Sequence, residues 1–107
     1  MPMINIEYDD VKIEKSEILS VSSAIQKIVS EATHIEDVFV YANSSQIKVK
    51  VAPIEIFIRM SAHKIQSREK LIEEIKSNLQ VWKKKNLFKE KINLTLIPMD
   101  WNIEIEV

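Results

Sequence analysis

The sequence predicts an α+β fold: tandem β-α-β units, with two helices packed on one face of a four-stranded mixed sheet and short extra strands beside it. Three observations carry that prediction. Apolar residues alternate over residues 3–8, then recur every three or four positions over residues 16–33, and the same succession returns from residue 54 onward. A right-handed crossover in each unit puts both helices on the same side of the sheet. The length of 107 residues fits one domain, spanning 1–107.

The elements follow in chain order. Ile4, Ile6 and Tyr8 alternate with Met3, Asn5 and Glu7, a strand pattern. Ile18, Val21, Ile25, Ile28 and Ala32 form one stripe of a helix from about Ser16 to Thr33, with Ser16 as the expected N-cap and Glu17 in the first turn. Val38-Phe39-Val40-Tyr41 reads as a second strand, ended by Asn43-Ser44-Ser45. Ile47, Val49 and Val51 alternate with Lys48 and Lys50, which predicts a short edge strand with one wet face. Pro53 opens a better-buried strand, Ile54 to Arg59. A second helix runs from about Ser67, its stripe made of Leu71, Ile72, Ile75, Leu79 and Trp82, and ends in Lys83-Lys84-Lys85, the charge that a helix C-terminus favours. Ile92, Leu94 and Leu96 lead to Pro98, and Trp101, Ile103, Ile105 and Val107 alternate after it. With both helices on one side, Tyr8, Phe39, Tyr41, Phe57 and Ile97 leave the other sheet face apolar as well. Such a face calls for a partner, and a homo-oligomer is expected.

Composition excludes several functions. The net charge of −1 recommends neither nucleic acid nor an anionic membrane. No cysteine is present, so disulfides, thiolate nucleophiles and sulfur-rich metal sites are out. There is no glycine either, which removes phosphate loops of the GxGxxG and Walker kinds. Left-handed turn positions then fall to asparagine or aspartate, with Asp9-Asp10, Asn43-Ser44 and Asn86 as candidates. No apolar run reaches membrane-spanning length and the first residues lack a signal pattern, so a cytoplasmic protein is the expectation. Two histidines without a carboxylate cluster predict no metal site, and no cofactor is called for.

The first strand is headed by Met1-Pro2. Together with the repeated strand–helix–strand plan, this start resembles the tautomerase superfamily, the fold of macrophage migration inhibitory factor and the muconate isomerases. Further short motifs resemble a bacterial branch of it, the domain of unknown function 1904 family: Val40-Tyr41-Ala42-Asn43-Ser44, Pro53-Ile54-Glu55-Ile56 and Ile65-Gln66. The resemblance covers nearly the whole chain. It implies a homotrimer whose three sheets line a barrel, and a keto-enol tautomerase or isomerase of small oxo-acids with the N-terminal proline as general base. The family's arginine falls at Ser61 in a gap-free alignment, and Arg59, two residues earlier on the same strand face, is the nearest cation.

Pro2 is thus the candidate catalytic base, provided Met1 is removed; a retained Met1 turns its nitrogen into an amide, which is no base at neutral pH. Arg59 is the candidate for binding a substrate carboxylate bidentately, and His34, just ahead of the second strand, is a second substrate-binding candidate. The competing readings of these residues are an Arg59–Glu55 pair and a solvated turn histidine. Asp9-Asp10 reads as a turn, the lysines from Lys83 to Lys91 as a solvated helix end, and Trp82 and Trp101 as core or interface anchors. Two alternatives to an enzyme share this element order: a non-catalytic oligomeric binding or structural module, and a ferredoxin-like ligand-binding domain.

Overall fold

In the computed structural model, which describes residues 1–102 and 104–107, the elements are β1 (Met3–Tyr8), α1 (Lys15–Thr33), β2 (Phe39–Asn43), β3 (Ile54–Ser61), α2 (Arg68–Lys85) and β4 (Ile92–Met99). The strand order is β2-β1-β3-β4. Strand β1 runs parallel to β2 and β3 parallel to β4, while β1 and β3 meet antiparallel at the centre. Each parallel pair is joined through one helix, and α1 and α2 lie against each other on the same side of the sheet. The two-helix, four-stranded mixed sheet expected from the sequence is the fold observed.

Alternation decides which face is dry. Ile4 and Ile6 of β1 and Ile54, Ile56 and Ile58 of β3 are completely buried under the helices. Each such isoleucine stabilises the fold by roughly 1.5–3 kcal/mol relative to exposure. Helix α1 answers with Ile18, Val21, Ile25 and Val29, and α2 with Ile75 and Leu79. Val29 takes the place in the stripe expected for Ile28, which is only partly buried, as is Ala32. Tyr8 also packs against this core, so it belongs to the helix side and not to the open face. Pro98 is tolerated within β4 because that strand lies at the sheet edge.

Several local features differ from expectation. The N-cap of α1 is Glu14, not Ser16: the Glu14 backbone N–H donates to Glu17 Oε1 at 3.0 Å, so a glutamate reaching back starts the helix two residues early. Asp9-Asp10 is a turn, with the Val11 N–H donating to Asp9 Oδ1 at 3.1 Å. Residues 47–51 form no strand. Lys48 folds back instead to pair with Asp9 at 3.4 Å and with Asp10, leaving Ile47 and Val49 almost fully exposed. The final alternation forms no strand among the described residues; Ile103 lies outside them, and Ile105 and Val107 are exposed.

The left-handed positions fall on His34 (φ 57°), Leu87 (φ 54°) and Glu106 (φ 59°), none of them asparagine or aspartate. Leu87 is instructive. The Phe88 N–H donates to Lys83 O at 2.9 Å and the Leu87 N–H to Lys84 O at 3.3 Å, the paired bonds of a Schellman ending to α2. Phe88 then packs its ring on Trp82, centroids 5.5 Å apart. Glycine is the usual occupant of the Leu87 position, and a side chain there costs about 1–2 kcal/mol.

Candidate functional site

The topology gathers four strand ends at one edge of the molecule. Strands β1 and β2 begin there, and β3 and β4 finish there. Pro2 stands at this edge, fully buried, its carbonyl accepting from the Phe39 N–H at 3.2 Å, so the β1–β2 ladder extends one residue beyond Met3. Its pyrrolidine ring is buried and its carbonyl is paired, which limits the freedom of its nitrogen.

Arg59 lies one residue further along. It pairs across the β1–β3 ladder with Met3, the neighbour of Pro2 in sequence. Strand alternation sends it to the open sheet face, opposite to buried Ile58. There it is half-buried, Nη1 donating to Asn5 Oδ1 at 2.7 Å and the guanidinium carbon lying 5.9 Å from the Phe57 ring centroid. Among the described residues no carboxylate pairs with it. Glu55, the partner that the sequence offered, accepts from Asn93 at 2.8 Å instead. A guanidinium has five donors, so Arg59 retains a planar fork able to take a carboxylate edge-on.

Ser61 has a different task. It is buried, and its Oγ accepts from Trp101 Nε1 at 2.9 Å. This bond ties the chain after β4 to the end of β3, so a small hydroxyl residue fits where a long cation would displace the indole.

His34 is at the same end of the molecule but faces elsewhere. It is the left-handed C-cap of α1, exposed, and it lines a groove of about 480 Å³ with Lys64, Gln66, Ser67 and Lys70, between the end of α1 and the start of α2. Neither Pro2 nor Arg59 lines that groove. A single chain therefore brings Pro2 and Arg59 into neighbouring register positions on the central strand pair, with the Arg59 side chain on the open face, and sets His34 in a groove that neither of them lines. Sequence reasoning missed Asn5, which orients Arg59. The signal was there: a polar residue amid the apolar alternation of the first strand.

No protein-family model matches the chain, and no curated protein matches it in sequence. Its fold, however, is shared with solved structures. The native structure of a protein designated Ps01740 superposes with a TM-score of 0.66 at 15% identity, over 95% of this chain and 99% of that one. For 5-carboxymethyl-2-hydroxymuconate delta-isomerase the TM-score is 0.64 at 14% identity, covering 100% and 86%. The macrophage migration inhibitory factor-like protein of Entamoeba histolytica gives 0.54 at 17% identity, covering 96% and 93%. At such identities the likeness is one of architecture. The chain has the α+β fold of the tautomerase and macrophage migration inhibitory factor type.

Proposed function

We propose that the protein is a keto-enol tautomerase or isomerase of small oxo-acids, a cytoplasmic bacterial member of the domain of unknown function 1904 branch, with Pro2 as general base once Met1 is removed. The observation that carries this reading is the placement of a buried Pro2 beside the Met3–Arg59 pair, on a fold that also builds a delta-isomerase. A buried secondary amine holds its proton less tightly than one in water, which suits a base working near neutral pH. The Pro2 nitrogen takes a proton from the carbon beside the substrate carbonyl, leaving an enolate. Arg59 holds the substrate carboxylate and offsets the developing negative charge. The proton then returns to another atom of the same substrate, so the reaction is an isomerisation that needs no oxidant and no cofactor.

In this reading the protein is a homotrimer. The open sheet face, with Phe39 and Tyr41 about half exposed on β2 and Phe57 beside Arg59 on β3, supports subunit packing there. The alternative, a non-catalytic binding module, draws on the placement of His34 in a groove that Pro2 does not line.

Intact mass, light scattering and a phenylpyruvate ketonisation assay test the proposal together. The expected results are loss of Met1, a particle three times the 12.5 kDa chain, and a Pro2→Ala rate at least about a hundredfold below wild type. Full retention of Met1 or equal rates would remove the enzyme reading and leave the binding module; a clean monomer would favour the ferredoxin-like alternative.

A further inference from the structure

The end of the sheet opposite Pro2 carries the strongest concentration of positive charge in the molecule. Helix α2 leaves the Pro2 end and returns to the row where Ile92, Ile54 and Tyr8 stand side by side. Residues 76–91, covering its last turns and the connection to β4, hold six lysines and one glutamate, a net +5. Because the whole chain is −1, everything else amounts to −6. Amid those lysines Val81 is 63% exposed and Leu87 80% exposed. They border a groove of about 760 Å³, with Phe88 alongside and Lys83, Lys84 and Lys89 around it.

Leu87 is hard to explain as structure. Its left-handed backbone would be more comfortable as glycine, and its side chain buries little. Neither the backbone nor the core calls for leucine. We propose that this groove docks an acidic segment of a partner protein, with an aliphatic side chain lying between Val81 and Leu87 and flanking carboxylates meeting Lys83, Lys84 and Lys89. The positive charge is local, +5 over these residues against −6 elsewhere, which an acidic segment complements, and apolar anchors ringed by charges are how small interfaces combine affinity with specificity. A nucleic acid fits less well, because the ring of Phe88 is engaged with Trp82 and the exposed apolar residues are aliphatic. An anionic bilayer fits less well too, because the acidic remainder of the chain would be repelled. The inference does not rest on the Pro2 reading, since it concerns the other end of the sheet.

The test is fluorescence anisotropy with a short fluorescein-labelled peptide of glutamates around a central Leu-Leu pair. Wild type should bind it, more weakly as salt rises. Leu87→Gly should bind about tenfold more weakly, and so should wild type toward the same peptide with serines replacing the leucines. Lys83→Glu with Lys84→Glu should abolish binding. Leu87→Gly relieves backbone strain, so its thermal midpoint should be at least that of wild type, which separates lost docking from lost folding. Absence of peptide binding, or equal binding by Leu87→Gly, overturns the proposal. So does preferential capture of phosphatidylserine-containing vesicles, or self-association that Leu87→Gly abolishes, each of which names a different occupant.

Discussion

Helix α1 buries Ile18, Val21, Ile25 and Val29, whereas α2, one residue shorter, buries only Ile75 and Leu79. The first has no basic residue in its last turn; the second ends in three lysines and an exposed Leu87. The two β-α-β units share a plan and a pseudo-symmetric place in the sheet, yet one helix is held mainly by the core and the other has much of its surface left over. The difference shows where a duplicated plan leaves room for recognition. A helix that gives four positions to the core has little to offer a partner, and one that gives two can carry a lysine cluster at modest cost to packing.

The largest effect that sharpens this contrast is in the cores of the helices. Ile25→Ala removes a completely buried side chain from α1 and should cost about 2–5 kcal/mol in urea unfolding. Ile72→Ala, at a half-buried position of α2, should cost less than half as much. Equal losses would erase the distinction between the two units.

A smaller effect lies at the helix starts. Ser67 Oγ accepts from the Lys70 N–H at 3.3 Å and caps α2 with its own side chain, whereas α1 begins at Glu14 through the carboxylate of Glu17. Ser67→Ala should therefore lose about 1 kcal/mol, read as a lower thermal midpoint, and Ser16→Ala almost nothing. A comparable loss at Ser16 would restore the cap that the sequence suggested.

That misplaced cap illustrates how legible the chain was. Period-two and period-three-to-four patterns identified β1, β3, β4 and both helices, and β-branched and aromatic residues ahead of a turn identified β2, because burial of isoleucine and valine on one face dominates the energetics. What escaped were features set by competition between local groups. Ile47, Val49 and Val51 alternate as a strand would, but Lys48 is drawn to Asp9 and Asp10, and alternation alone does not reveal a side chain's preferred partner. In a chain without glycine, left-handed positions went to His34 and Leu87, where helices had to end, and asparagine or aspartate preference had no say. At the candidate site, Pro2 and Arg59 could be assigned to neighbouring positions once the strand order was known. The orientation of Arg59 by Asn5 depends on the β1–β3 register, and the direction of His34 depends on its left-handed backbone; neither is written in local sequence.

The smallest predicted effect concerns the connection between the units, where Lys48 holds residues 44–52 against the Asp9-Asp10 turn. The hydrogen bond from Lys48 pulls the Asp10 carboxyl below its ordinary range, and the same bond raises the Lys48 ammonium. A carboxyl lowered on folding stabilises the folded state at pH above its unfolded value, about 3.9, and that contribution is lost as pH falls through the folded one. For Lys48 the sign reverses: its contribution is complete below about 10.4 and is lost as pH rises through the folded value. The clasp is therefore fully made between roughly pH 4 and 10. Asp10 is well exposed, so solvent and salt screen the pair and global stability should hardly register it. Amide hydrogen exchange at Asp9, whose N–H donates to Pro53 O at 3.0 Å and so ties the turn to the end of the connection, should nevertheless quicken below pH 4 in wild type and be fast at every pH in Lys48→Ala. Exchange that ignores both the acid and the substitution would mean that residues 44–52 are held by the strand ends they join, and the two units would then be coupled through the sheet alone.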